Sequence, residues 1–192
     1  MEILRQKPHT KRPDIVQVAT SLFAARGIAG VSMRDIAQAA GVREAAIYRH
    51  FAGKEALARE IFLSWYGWHC QQVHQIVTGA GSRKEQLRGI VGQELTVAER
   101  YPKAFLYFCA NEMKFLSALP PEIPAVRDSL IAFIKEGQRR GELRLGDAEL
   151  IVDMLSGALC EVALSGVRRK RRGSLRRRIE LVTESCWRLI AA

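Results

Sequence analysis

The stretch AGVREAAIYRHFAGKEAL, residues 40–57, joins a glycine turn to small alanines, the cations Arg43, Arg49 and Lys54, and Tyr48. These side chains suit the edges and backbone of a nucleic-acid duplex. A guanidinium donates two bonds to guanine, a role open to Arg34 and Arg43, and the Glu44 carboxylate accepts from cytosine N4. Ala45 and Ala46 let a helix approach base edges, where a methyl meets the thymine methyl. Tyr48, Arg49 and His50 are suited to phosphates and the sugar edge. Lys54 can join the free N–H groups of a helix N-terminus in holding another phosphate.

Other chemistry is poorly represented. No G-x-S-x-G, P-loop or H-E-x-x-H pattern is present, and TGAGSRKE, residues 78–85, lacks the spacing of a phosphate cradle. Cys70, Cys109, Cys160 and Cys186 show no C-x-x-C spacing and sit in apolar helical patterns, as buried thiols of a reducing compartment do. His69 and His74 are five apart and fall on different helix faces, so no metal pair is expected. No cofactor is expected either.

Charge points the same way. The 192 residues carry a net charge of +10. Residues 1–54 hold nine bases against four acids, and RRKRRGSLRRR, residues 168–178, adds eight bases and no acid, leaving the rest of the chain net negative. Clustered cations call for a polyanion. The polar start MEILRQKPHTKRPD and the lack of a long apolar run predict a cytoplasmic protein without a membrane segment.

The elements that must position these residues follow a 3.6-residue period. Ile15, Val18, Ala19, Leu22 and Phe23 predict a helix over 14–26, ended by Gly27. A second follows Ser32 as N-cap, with Ile36, Ala37 and Ala40 inward and Gly41 as its end. A third covers about 43–50, packed through Val42 and Ile47, and a long fourth runs over about 54–77. The period returns in RKEQLRGIVGQELTVAERY, PKAFLYFCANEMKFLSAL and AVRDSLIAFIKEGQRRG, with Pro120, Pro121 and Pro124 separating the last two. Two wide-arc apolar helices close the chain. The class is all-α, with about nine helices.

Helices two and three around Gly41 fit a helix-turn-helix plan. VSMRDIAQAAGVREAAIYRHFAGKEAL, residues 31–57, resembles the signature of TetR-family transcriptional repressors, with the strongest likeness over about 11–58. The segment GELRLGDAELIVDMLSGAL resembles the family's approach to its penultimate helix. The resemblance implies a DNA-binding domain over 1–54 and a ligand-binding and dimerisation domain over 55–192. It puts phosphate contacts on Ser32, Tyr48, His50 and Lys54, and base reading on Arg34, Glu44 and Ala45, with Arg43 and Arg49 nearby. Many members carry Ser-Lys or Ser-x-Gly at positions 43–45, and an aromatic or His at 49. The Arg-Glu pair here therefore leaves the operator sequence open.

The resemblance also implies a small-molecule pocket between the middle helices. Trp65, Trp68, His69, Phe105, Phe108, Cys109 and Met113 are the candidate lining for an apolar or aromatic effector. At helical spacing such side chains equally build a core. Leu155, Leu159, Val162, Ile179, Val182, Cys186 and Leu189 form stripes suited to a homodimer, whose two-fold axis matches a palindromic operator. Alternatives are a DNA-binding activator or architectural protein that senses nothing and, more remotely, a helical enzyme. The resemblance places the 168–178 run away from the operator, and its partner stays open between nucleic acid, an acidic protein and solvent alone.

Overall fold

The computed structural model describes residues 11–116, 119, 125–169 and 174–192. Arg5, Lys7, the separators Pro120, Pro121 and Pro124, and Lys170, Arg171, Arg172 and Gly173 of the basic run lie outside the described residues. The described chain holds nine α-helices and no strand: α1 Arg12–Arg26, α2 Met33–Ala40, α3 Glu44–Tyr48, α4 Lys54–Thr78, α5 Arg83–Arg100, α6 Pro102–Leu116, α7 Val126–Arg139, α8 Ala148–Arg168 and α9 Ile179–Ile190. A 3-10 turn, Leu175–Arg178, leads into α9. The all-α class stands.

Contacts group these helices into two compact units. The first takes the described residues up to Gly67 together with α6 from Lys103; the second takes the rest of α4, then α5 and α7–α9. α4 itself is one unbroken helix that contributes to both.

In the first unit, α1 begins two residues earlier than expected, because Pro13 fits the first turn, where no N–H is needed. Ile15, Ala19 and Phe23 are buried at helical spacing. Fully buried Ile36 and Ile47 carry α2 and α3 onto α1. Ala40, expected inward, is only half-buried. An aromatic core joins α4 to α6: Phe62 stacks with Phe108 at 5.2 Å and Tyr66 at 5.8 Å, with Phe115 tilted at 5.3 Å. Tyr107 is fully buried, and its hydroxyl donates to the Ala58 carbonyl at 2.6 Å. Burial, with Glu55 nearby, pushes this phenol well above its ordinary range.

In the second unit α5 runs antiparallel to α9, in a register marked by Lys84–Glu184 at 2.6 Å and Arg88–Glu180 at 2.6 Å. These exposed pairs fix alignment more than they add stability. Apolar residues such as Leu87, Val91, Ile134 and Val152 form the core between α5, α7 and α8. α8 is long and apolar enough, by length and composition, to cross a membrane, and little of it is buried within the chain. This corrects the expectation that no such run exists. Asp153 and Glu161 interrupt the apolar letters in sequence without spoiling the helix as a whole. Arg127 of α7 ties Asp153 at 3.1 Å and Glu149 at 3.2 Å to the protein.

Candidate nucleic-acid interface and the helical body

α2 owes its start to a reciprocal cap. The Asp35 N–H donates to Ser32 Oγ at 3.0 Å, and the Ser32 N–H donates to the Asp35 carboxylate at 2.9 Å. These bonds, with Arg26 at 3.3 Å, hold the Asp35 carboxyl below the usual carboxylate range. Ser32, the expected phosphate donor, is thus a capping residue in the free protein. α2 ends at Gly41, whose φ of 64° is left-handed, a conformation that costs a side-chain-bearing residue about 1–2 kcal/mol. Turning there, the chain sends Val42 back with its N–H on the Ala37 carbonyl at 3.0 Å. α3 then starts with Arg43 as its N-cap residue.

Across the five residues of α3, Ile47 alone is fully buried, and it carries the packing. Glu44, Ala45 and Tyr48 face outward, with Tyr48 52% exposed, and the flanking Arg43, Arg49 and His50 are exposed too. Arg34 stands exposed on α2. Among the described residues, Arg34, Arg43 and Arg49 make no ion pair. Lys54 donates to the Ala29 carbonyl at 3.3 Å, fixing the start of α4 to the turn between α1 and α2. α3 is shorter than the expected 43–50 span. Arg49 and His50 lie in its closing turn, where the His50 N–H bonds to the Ile47 carbonyl.

The body residues divide. Trp65, Phe105, Phe108, Cys109 and Met113 belong to the first unit; Trp68 and His69 belong to the second. Phe105 is buried and Met113 is 94% exposed. Phe108 is part of the Phe62 stack. His69 meets Glu94 at 3.0 Å, with both side chains mostly buried. Sequence reasoning passed over Phe62 and Tyr66, although their four-residue spacing on α4 is the mark of paired aromatics. Cys70 and Cys186 are buried as expected, but Cys109 and Cys160 are half-buried, since apolar neighbours in sequence do not fix a helix face.

Cavities among the described residues of the second unit include a small void and a wide groove. One, about 40 Å³, is an apolar void lined by Leu87, Val91, Phe133, Leu155, Leu159 and Cys186 among others. The other is an open groove of about 990 Å³, whose rim includes Arg83, Asp128, Phe133, Glu136 and Trp187. Leu159 and Cys186 are buried against their own chain, and Leu155 shares that inner void. Within the single chain, α5 and α7 cover that arc of the expected stripe. Val162, Ile179 and Val182 are half-buried, and Leu189 is exposed. The outward apolar residues are Leu150 and Met154 on α8 and Leu181 and Leu189 on α9, with Leu150 57% and Leu181 70% exposed. Gly157 and Ala158 continue this face, and a Cβ at Gly157 would meet open space.

Residues 15–61 match the bacterial regulatory proteins of the tetR family. The transcriptional repressor KstR2 of Mycolicibacterium smegmatis is 32% identical over 115 residues, 59% of this chain and 55% of that protein. The chain spans about half the length of the first curated relatives it matches. The ketosteroid transcriptional regulator KstR2 of Mycobacterium tuberculosis has the same fold, with a TM-score of 0.77 at 19% identity, covering 97% of each chain. The transcriptional regulator FadR of Bacillus subtilis, solved in complex with stearoyl-CoA, gives a TM-score of 0.74 at 19% identity, covering 90% of this chain and 96% of that one. The matched segment contains the capped α2, the left-handed Gly41 turn and the outward face of α3, and the body shares its fold with these regulators: the chain is similar to the TetR family of transcriptional regulators in sequence over residues 15–61 and in fold throughout.

Proposed function

We propose that the chain is a homodimeric repressor that holds a palindromic operator through α3 and releases it when a small, largely apolar or aromatic effector binds. The observation that carries this reading is the outer face of α2 and α3. There Arg34, Arg43 and Arg49 stand around Ala45 and Tyr48 without ion pairs among the described residues, and Ile47 takes the packing. In this reading Arg34, Arg43, Glu44 and Ala45 face base edges, while Ser32, Tyr48, Arg49, His50 and Lys54 hold phosphates. Residues 1–54 read DNA and 55–192 sense and dimerise, all in the cytoplasm.

The exposed stripe of Leu150, Met154, Leu181 and Leu189 supports the dimer, because such a face leaves apolar area in water unless a second copy covers it. Gly157 and Ala158 admit a close helix approach. Two related regulators are associated by name with a ketosteroid and by structure with stearoyl-CoA; the steroid skeleton and the stearoyl chain are apolar, which supports an effector with a large apolar part. In the first unit Trp65, Phe108 and Cys109, all half-buried, are the better candidates to meet it; in the second, Trp68 is half-buried and His69 is paired with Glu94.

Induction is a difference in operator affinity between two states, so operator DNA must weaken effector binding by the same factor. The test selects an operator from a random duplex pool and titrates long-chain acyl-CoA and steroid ligands into the complex. Release by at least one of them, with the reciprocal loss of ligand affinity, is expected. Ligands that bind yet leave operator affinity unchanged would turn the reading to a DNA-binding protein that does not sense them.

A further inference from the structure

The α3 face leaves one cationic surface unused. At the far end of α8, Arg168 and Arg169 are exposed, as are Arg176 and Arg177 in the 3-10 turn, and Arg178 is half-buried. Among the described residues none of these five makes an ion pair. Glu99 stands nearest, and its carboxylate is taken up by the Ser174 hydroxyl at 2.8 Å and the Arg176 backbone N–H at 3.1 Å, so it fixes the turn itself.

The surface is built as well as charged. Leu175 is buried against Gly166, where a Cβ would fall 2.3 Å from the Leu175 side chain, so the last turns of α8 and the 3-10 turn are locked side by side. Ser174 caps the turn by accepting the Arg176 N–H at 3.2 Å. Against burial, the Ser174 hydroxyl, the Arg176 N–H and then the Arg176 charge hold the Glu99 carboxyl below the usual carboxylate range, so one carboxylate faces five arginines. Three adjacent arginines repel one another and stand at the positive end of α9, where the helix dipole disfavours cations.

Against the placement that the family resemblance implies for the 168–178 run, we propose that this arginine surface is a second, sequence-independent contact to duplex phosphates outside the bases read by α3. The inference rests on the DNA-reading function proposed above. A chain that holds a duplex through α3 keeps that duplex at high effective concentration near its other surfaces. The duplex offers a phosphate charge every ~1.7 Å of its axis. The same guanidinium groups would gain far less from a partner with sparse charge.

The test compares the full chain with an R176Q/R177Q/R178Q variant on two duplexes: the selected operator alone, and the same operator with about one helical turn of arbitrary sequence added on each side. The natural chain should bind the flanked duplex tighter whatever the flank sequence. The variant should lose that advantage, and its salt dependence should flatten by roughly one unit of log–log slope for each phosphate contact removed. An R168Q/R169Q variant provides the same reading should the triple variant fold poorly, with melting and sedimentation as controls. Equal affinities and slopes for natural and variant chains on both duplexes would overturn the inference and leave operator reading intact. Failure of the natural chain to bind any selected duplex would overturn the DNA-reading function as well. Arginine-dependent binding to vesicles rich in phosphatidylserine, with unchanged DNA binding, would assign the surface to a membrane and reject this proposal.

Discussion

The outer face of α3 and the outward stripe of α8 and α9 are both surfaces that the chain's own fold leaves without partners, and they are unpartnered in opposite ways. On α3 the exposed groups are charges and small side chains around one buried anchor, Ile47. On α8 and α9 they are Leu150, Met154, Leu181 and Leu189, large apolar side chains left in water. A stable fold needs neither. Exposed arginines want a polyanion, whereas bare leucines want another apolar face, so the two surfaces point to DNA and to a second copy.

The largest effect expected from breaking this pairing is on assembly. Leu150→Glu with Leu181→Glu puts charge where a second copy would bury it, at a cost of several kcal/mol. Both side chains are exposed in the single chain, so it should remain folded and sediment as a monomer at micromolar concentration. A natural chain that is itself a monomer under those conditions removes the two-fold argument. Leu159→Glu separates the two arcs of α8, because its side chain is buried within the chain and the change should unfold the second unit.

Tyr48→Ala comes next, with a loss of about 1–3 kcal/mol in operator binding and no change in melting temperature, since Ile47 does the packing. Titration by fluorescence anisotropy at fixed salt measures it. Gly41→Ala sharpens the contrast between holding α3 and using it. The left-handed turn should make it cost about 1–2 kcal/mol of stability, read as a lowered melting temperature of the free protein.

The smallest effect lies in the second unit and depends on pH. Bonds from Arg139 at 2.7 Å and Arg140 at 2.6 Å hold the Glu136 carboxyl down at about 2. A depressed pKa stabilises the folded state above the ordinary value of 4.5 and loses that contribution as pH falls towards 2. Glu136→Gln should therefore melt slightly below the natural chain at pH 7, and the two should converge between pH 4.5 and 2. A constant difference across that range would contradict the assignment.

Much of the first unit was legible because its signals are local. Ser32 with Asp35, Gly41 and the single apolar anchor Ile47 each announce a cap, a turn or a face within a few residues. The body was less legible because burial there depends on neighbours distant in sequence. α8 has apolar residues on two arcs, and only the placement of α5 and α7 shows that Leu155 and Leu159 lie on the covered one while Leu150 and Met154 do not. Met113 and Phe105 are both apolar residues of α6, and sequence spacing alone did not tell the exposed one from the buried one. The aromatic core has the same origin, since Phe62 meets Phe108 and Phe115 across a long sequence separation.

The account stands most directly on what α3 selects. Duplexes enriched by the natural chain from a random pool should contain inverted half-sites about one helical turn apart, or a multiple of that spacing. Tyr48→Ala should bind those duplexes more weakly by about 1–3 kcal/mol at the same salt concentration. A pool that yields no shared sequence, or a Tyr48→Ala chain that binds the enriched duplexes as tightly as the natural one, would contradict the assignment of α3 as the reading helix.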